Sequence, residues 1–176
     1  GVDIPGESVG FLPNPEEKEK RSGQPWRIGD TYNVAIGQGD LQVTPLRLLT
    51  FFASLANKGK AIKPHFILSP NESTVIHDYS SWTDEIAAVR QGVRDVVAKP
   101  YGTANALYDL PYKTSGKTGS AQIQNNAKTN AFFMGYGPSD DPQLAVLILV
   151  EDAKTGSLNA VPIGHDVMRW YYENRM

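Results

Sequence analysis

Apolar residues recur with a helical period in three stretches of the chain and run as strand-like segments in three others. Leu46, Leu49, Phe52, Ala53 and Ala56 form one helical stripe, which Thr44 can cap, Pro45 can open and Gly59 can stop. A second stripe, Ile86, Val89, Val93, Val96 and Val97, predicts a helix from Thr83 or Asp84 that ends before Pro100. Tyr101-Gly102-Thr103-Ala104 then reads as a tight connection. Strand-like runs follow at Tyr112 to Gln124, Asn130 to Gly137 and Gln143 to Glu151. The last two flank Pro138-Ser139-Asp140-Asp141-Pro142, a turn signal that predicts an antiparallel pair. Val161, Ile163, Val167, Met168, Trp170 and Tyr171 predict a C-terminal amphipathic helix.

Elsewhere the pattern is weaker. Residues 1–40 are rich in Gly and Pro without a sustained period and read as extended, loop-dominated chain. Within them Glu16 to Arg21 is a charge run, read as a solvated face. Residues 60–82 read as short strands and an irregular excursion. The whole order predicts an α/β chain of the α+β type, an antiparallel sheet flanked by helices.

Bulk properties narrow the function classes. A chain of 176 residues with 40% hydrophobic and 20% charged residues has globular composition. Lys+Arg number 17 against 19 Asp+Glu, so charge does not suggest a nucleic-acid partner. With no cysteine, disulfide scaffolds, cysteine zinc sites and thiol catalysis are excluded. The longest apolar run, Leu144 to Val150, is too short to span a bilayer. The chain opens directly on Gly1-Val2-Asp3-Ile4-Pro5-Gly6, as if cut from something longer. His65, His77 and His165 have no pairing that suggests a metal, and Tyr136, Trp170, Tyr171 and Tyr172 read as packing residues.

The chemistry concentrates in Ser115-Gly116-Lys117-Thr118-Gly119-Ser120-Ala121-Gln122. Gly116-Lys117-Thr118 matches the end of a phosphate-binding loop. That motif needs a glycine at position 111, where Pro111 stands, and a following helix where the sequence alternates like a strand. The nucleotide reading fails on both counts. On a strand, Thr118 and Ser120 offer two hydroxyls on one side, and Gly119 between them lets an extended peptide backbone approach. Such a peptide can add as a strand along the edge. Lys117 supplies a positive charge suited to a free carboxylate, and the Ser120 N–H can serve as one oxyanion donor.

Lys117-Thr118-Gly119 resembles the KTG motif of serine penicillin-recognising enzymes. Other segments extend the likeness in the family's own order. They are Gly1 to Glu7 with Leu12-Pro13, Trp26 and Gly29-Asp30-Thr31, then Ile36-Gly37-Gln38-Gly39 with Val43-Thr44-Pro45-Leu46. Ala56-Asn57-Lys58-Gly59, Gly102-Thr103-Ala104 and Asn130 to Tyr136 follow. Together they resemble class B penicillin-binding proteins, most of all the elongation-type, PBP2-like branch. Ser120 stands where threonine is more usual, Arg47 replaces a glutamine, and Asp40 stands where an aromatic is common.

The resemblance implies a partial penicillin-binding/transpeptidase (β-lactamase-like) fold, with residues 1–176 the C-terminal portion of one transpeptidase domain. It also implies a peptidoglycan DD-transpeptidase that cross-links stem peptides through a serine acyl-enzyme, binds β-lactams and uses no cofactor or metal. The enzyme would sit at the periplasmic face of the bacterial inner membrane, held by an N-terminal anchor. Its partners would be the stem peptide, the missing N-terminal half of the domain and a membrane glycan polymerase, with no nucleic acid. The substrate-binding residues carried over are Lys117, Thr118, Gly119 and Ser120. No catalytic residue is assigned in this chain, because the family's nucleophile lies in an SxxK motif and no serine here has lysine three residues on. Thr114 with Lys117 is the nearest imitation. Ser69-Pro70-Asn71 and Ser157-Leu158-Asn159 match SxN in letters, but both lie downstream of Gly1 to Glu7, where the family's SxN lies upstream. The chain alone is therefore expected to be inactive. A noncatalytic peptide-binding or scaffold module of the same fold is the alternative, and a related β-lactamase or DD-carboxypeptidase is a third reading.

Overall fold

Asn14 starts a helix that the hydrophobic pattern does not mark. In the computed structural model, which describes residues 2–67, 73–123 and 127–176, α1 spans Pro15–Ser22. The Asn14 side chain accepts the Glu17 N–H at 3.0 Å, and Pro15 occupies the first turn. Glu16 and Glu17 sit at the positive end of the helix dipole, Lys20 and Arg21 at the negative end. Gly23, in the left-handed region at φ 66°, closes it by donating its N–H to Glu19 O. A second helix, α2, spans Ile28–Ala35. Asp30 binds the two together: one carboxylate oxygen accepts Lys18 Nζ at 2.6 Å and the Arg27 N–H at 2.7 Å. These hydrogen bonds and the Lys18 and Arg27 charges hold the Asp30 carboxyl below the usual carboxylate range. Residues 1–40 thus hold two short helices, of eight residues each, that the apolar pattern does not mark, within otherwise loop-like chain.

These helices belong to one compact unit, residues 6–44, in which Pro13 is the only buried residue. Its other tie is a two-hydrogen-bond bridge between Phe11 and Gln42. The approach is so close that a Cβ on Gly10 would lie 2.4 Å from Gln42 O.

The second unit comprises residues 1–5 and 45–176. Its elements are α3 (Pro45–Ala56), β1 (Lys60–Ile62), β2 (Val75–Asp78), α4 (Thr83–Ala98), β3 (Ser115–Ile123), β4 (Lys128–Gly137), β5 (Leu144–Val150) and α5 (Val161–Arg175). A 3-10 turn at Asn105–Asp109 precedes β3, and a π-helical turn at Gly156–Ala160 leads into α5. β1 and β2 form an antiparallel pair, while β3-β4-β5 is a three-stranded antiparallel meander. The fold is the expected antiparallel sheet flanked by helices.

Strand alternation separates two cores. Ala131 and Phe133 point from β4 into a cluster with Val146, Leu107, Ala160, Val161 and Met168. Tyr136 points the other way, to Phe52, Ala56 and Val93. α5 packs on one side of the sheet and α3 on the other. Arg90 fastens the second core, donating to the carbonyls of Leu55 at 2.5 Å, Ala56 at 2.6 Å and Ser139 at 3.1 Å.

Several boundaries and faces differ from the sequence reading. β3 begins at Ser115, because Tyr112 leaves the strand path to donate its hydroxyl to Met168 O. The proposed end of that strand, Gln124, lies outside the described residues. On α4, Val89 is exposed although it shares the predicted stripe. On α5 the buried line is Val161, Gly164 and Met168, while Ile163, Val167 and Trp170 face solvent. Gly164 decides that phase: the Phe133 ring fills the place of its side chain, and a Cβ would meet Phe133 Cδ1 at 2.4 Å.

Candidate functional site

Lys117 to Ser120 lie in the middle of β3, whose neighbour on one side is β4 and which is an edge strand among the described residues. Lys117 pairs with Met134, Thr118 with Phe133, Gly119 with Phe132 and Ser120 with Ala131. Residues directly opposite share a face, so Thr118 and Ser120 leave the Phe133 face and Lys117 leaves the Met134 face. The lysine amine nevertheless turns to the backbone of its neighbour, donating to Thr118 O at 2.5 Å. Lys117 and Ser120 are exposed and Thr118 and Gly119 half-buried. Charge, hydroxyls and main chain therefore meet along a short accessible segment.

Two elements outside the strand fix this segment. Thr103 Oγ1 lies 2.7 Å from Thr118 Oγ1, with either hydroxyl able to donate. The π-helical turn also presses in, at Gly156. A Cβ there would lie 2.4 Å from Phe132 O, 2.8 Å from Gly119 O and 3.1 Å from Thr118 Cβ. Only glycine fits that approach. Gly119 differs: a Cβ on it would meet just Phe132 Cβ, at an ordinary contact distance of 3.5 Å. The packing of this chain does not itself require glycine at 119.

The start of the strand is held by buried hydroxyls. Ser115 Oγ lies 2.8 Å from Ser139 Oγ, and the Ser139 N–H donates to Lys113 O. Thr114 is buried while Lys117 is exposed, and three residues apart on extended chain they point to opposite sides. That spacing cannot imitate a nucleophile with its lysine. Ser157-Leu158-Asn159 is part of the π-helical turn, where Asn159 Oδ1 accepts the backbone N–H groups of Lys154 and Thr155. Asn159 is thereby committed to shaping that turn. Ser69-Pro70-Asn71 lies outside the described residues.

Of the remaining polar residues, His165 Nε2 lies 2.9 Å from Asp109 Oδ1, a contact that lowers the Asp109 carboxyl below its usual range. His65 contacts the Ile67 carbonyl and His77 stacks on Tyr79. Among the described residues no three His, Cys, Asp or Glu gather as a metal site would need. Tyr136 is buried beneath Arg90, and Tyr172 stacks on Tyr112. A cleft of about 480 Å³ opens beside the end of α3 and the Asp140–Ala145 segment, and one of about 470 Å³ lies against Tyr108 and Tyr112. Neither is lined by Lys117 to Ser120. A strand edge, not a deep pocket, is the candidate site.

Thr103 and Gly156 were not among the residues singled out as a site. Gly102-Thr103-Ala104 stood out as a motif, but no rule of local spacing ties it to a strand fifteen residues away. Nothing in the sequence marks Gly156 at all, since its role depends on two carbonyls contributed by other strands.

Comparison with known proteins gives the chain's family. Residues 1–169 match the family model for the penicillin-binding protein transpeptidase domain. The peptidoglycan D,D-transpeptidase MrdA of Haemophilus influenzae is 34% identical over an alignment covering 100% of this chain and 31% of that protein. The structure of penicillin-binding protein 2 (PBP2) from Helicobacter pylori superposes with a TM-score of 0.88 at 32% identity, covering 100% of this chain and 33% of that one. The complex of H. pylori PBP2 with MreC gives 0.85 at 32% identity, with 100% and 34% covered. The chain thus spans about a third of the length of these relatives. By its sequence and by its fold, this chain belongs to the penicillin-binding-protein transpeptidase family.

Proposed function

We propose that residues 1–176 form the C-terminal portion of a transpeptidase domain and contribute the strand on which a peptidoglycan stem peptide is bound. The observation that carries this reading is Gly119: it sits at the accessible edge of β3, and the chain's own packing leaves room for a side chain there. A glycine that the chain's own packing does not require suits a site that another backbone approaches, as an added strand does. Lys117 supplies charge for the terminal carboxylate, the Thr118 and Ser120 hydroxyls hydrogen-bond it, and the Ser120 N–H is one oxyanion donor.

The reaction belongs to the whole protein. A serine outside these residues attacks the carbonyl of the penultimate D-alanine, its proton passing to a neighbouring base. Terminal D-alanine leaves with a proton on its amine, and the resulting ester is taken by the amine of a second strand. β-Lactams acylate the same serine. The residues of this chain bind and orient the peptide, and no step draws on a cofactor. The relatives' names and the complex of H. pylori PBP2 with MreC support a role in peptidoglycan assembly alongside partner proteins. A membrane glycan polymerase as one such partner, and a place at the periplasmic face of the inner membrane, rest on the family resemblance alone. No helix among the described residues is long and apolar enough to cross a membrane, so such an anchor would come from elsewhere in the protein.

Peptide mapping of the full-length protein after reaction with a fluorescent penicillin tests this. The acylated serine is expected outside residues 1–176. Label on any serine within them, or no label at all, contradicts the reading.

A further inference from the structure

Thr103 is held more firmly than a surface threonine needs to be. Its predecessor Gly102 lies so close to α4 that a Cβ would be 2.1 Å from Val96 O. Its successor Ala104 is fully buried and donates its N–H to the same carbonyl at 3.1 Å. Asn105 closes the segment by donating its amide to Val97 O at 2.9 Å. Both backbone neighbours are thus fixed to the end of α4, and a β-branched side chain on fixed backbone has few rotamers open to it. The hydroxyl so placed meets Thr118 Oγ1 at 2.7 Å.

We infer that Thr103 is a positioning residue for carboxylate recognition: its hydroxyl donates to Thr118, which frees the Thr118 proton to point at the ligand. The inference rests on the reading of Lys117 to Ser120 as the binding strand. A hydroxyl has one proton and two lone pairs. If Thr118 donated to Thr103, it could offer a carboxylate only lone pairs, which repel it. With Thr103 as donor, the chain runs Thr103 O–H to Thr118 Oγ1 and Thr118 O–H to carboxylate. Each hydrogen bond then polarises the next, strengthening the Thr118 donor. Thr103 itself touches no ligand.

The test measures second-order acylation rates of the full-length protein with benzylpenicillin and with its methyl ester, which lacks the anionic carboxylate. Thr103→Val keeps the branched shape and removes the donor. It should slow the free acid roughly two- to twelve-fold, the range for one neutral hydrogen bond, and leave the ester nearly unchanged. Thr103→Ser restores the hydroxyl and should restore the rate. Thr118→Val should also slow the free acid, and adding Thr103→Val to it should cost nothing more.

If Thr118→Val slows the free acid but Thr103→Val does not, the inference fails while the binding strand stands. Equal loss on acid and ester, or no rescue by serine, would make Thr103 merely structural and also overturn it. An unaffected Thr118→Val would remove the binding-strand reading and this inference with it. If the valine variant misfolds, Thr103→Ala is read by the same acid-to-ester ratio.

Discussion

Ser115 and Ser139 share a buried hydrogen bond, Oγ to Oγ at 2.8 Å, with 0% and 1% of their surfaces exposed. It ties the first residue of β3 to the turn between β4 and β5. Because water cannot reach either atom, each hydroxyl depends on the other. Ser139→Ala should destabilise the full-length protein by about 1–3 kcal/mol, the cost of an orphaned buried polar group. Adding Ser115→Ala should recover part of that loss, since it removes the orphan. Chemical denaturation of the two single variants and the double variant checks both signs.

Gly156 and Gly92 should respond to alanine in opposite directions. At Gly156 the new methyl would press on the Phe132 and Gly119 carbonyls, and backbone cannot step aside as a flexible side chain can. Gly156→Ala should cost about 1–3 kcal/mol and slow β-lactam acylation, because the displaced strand is the binding strand. Gly92 lies inside α4 with nothing within 4 Å of its added Cβ. Gly92→Ala should therefore stabilise by about 0.5–1 kcal/mol through helix propensity, with acylation unchanged. Melting curves and acylation rates on both variants settle the contrast.

Asp140 gives a pH signature. Its carboxylate pairs with Arg94, and that hydrogen bond, followed by the charges of Arg94, Lys113 and Arg90, holds its pKa below the usual 3.8. A carboxyl depressed on folding adds stability above its unfolded pKa and loses it as pH falls through the folded value. Asp140→Asn should thus be less stable than the wild type near neutral pH. The gap should shrink below pH 3.8 and close once Asp140 is protonated in the folded state. High salt should narrow it as well, the pair being partly exposed. Denaturation midpoints across pH, with and without salt, measure it.

Much of the fold was legible because it is written in local apolar spacing. The α3 stripe, the α4 helix and the Pro138–Pro142 reversal are each read from neighbours in sequence. α1 escaped because it carries no apolar face. Its evidence is Asn14-Pro15-Glu16-Glu17 at one end and Lys20, Arg21 and Gly23 at the other, a capping signal and not a periodic one. The phase of α5 was misread for a different reason: Ile163, Val167 and Trp170 count as apolar, whereas the packing line passes through Gly164, which carries no hydrophobic signal. The binding segment was legible as a motif on a strand. Its supports at Thr103 and Gly156 were not, because each comes from a contact between elements distant in sequence.

The most direct test of the edge-strand account is the benzylpenicillin acylation rate of full-length Gly119→Ala. The chain has room for that methyl, so the variant should fold with stability within about 1 kcal/mol of the wild type. A ligand laid along the edge does not have that room, and acylation should fall about 10- to 100-fold, as misplacing a reacting group does. A well-folded Gly119→Ala protein that acylates at the wild-type rate would contradict the account.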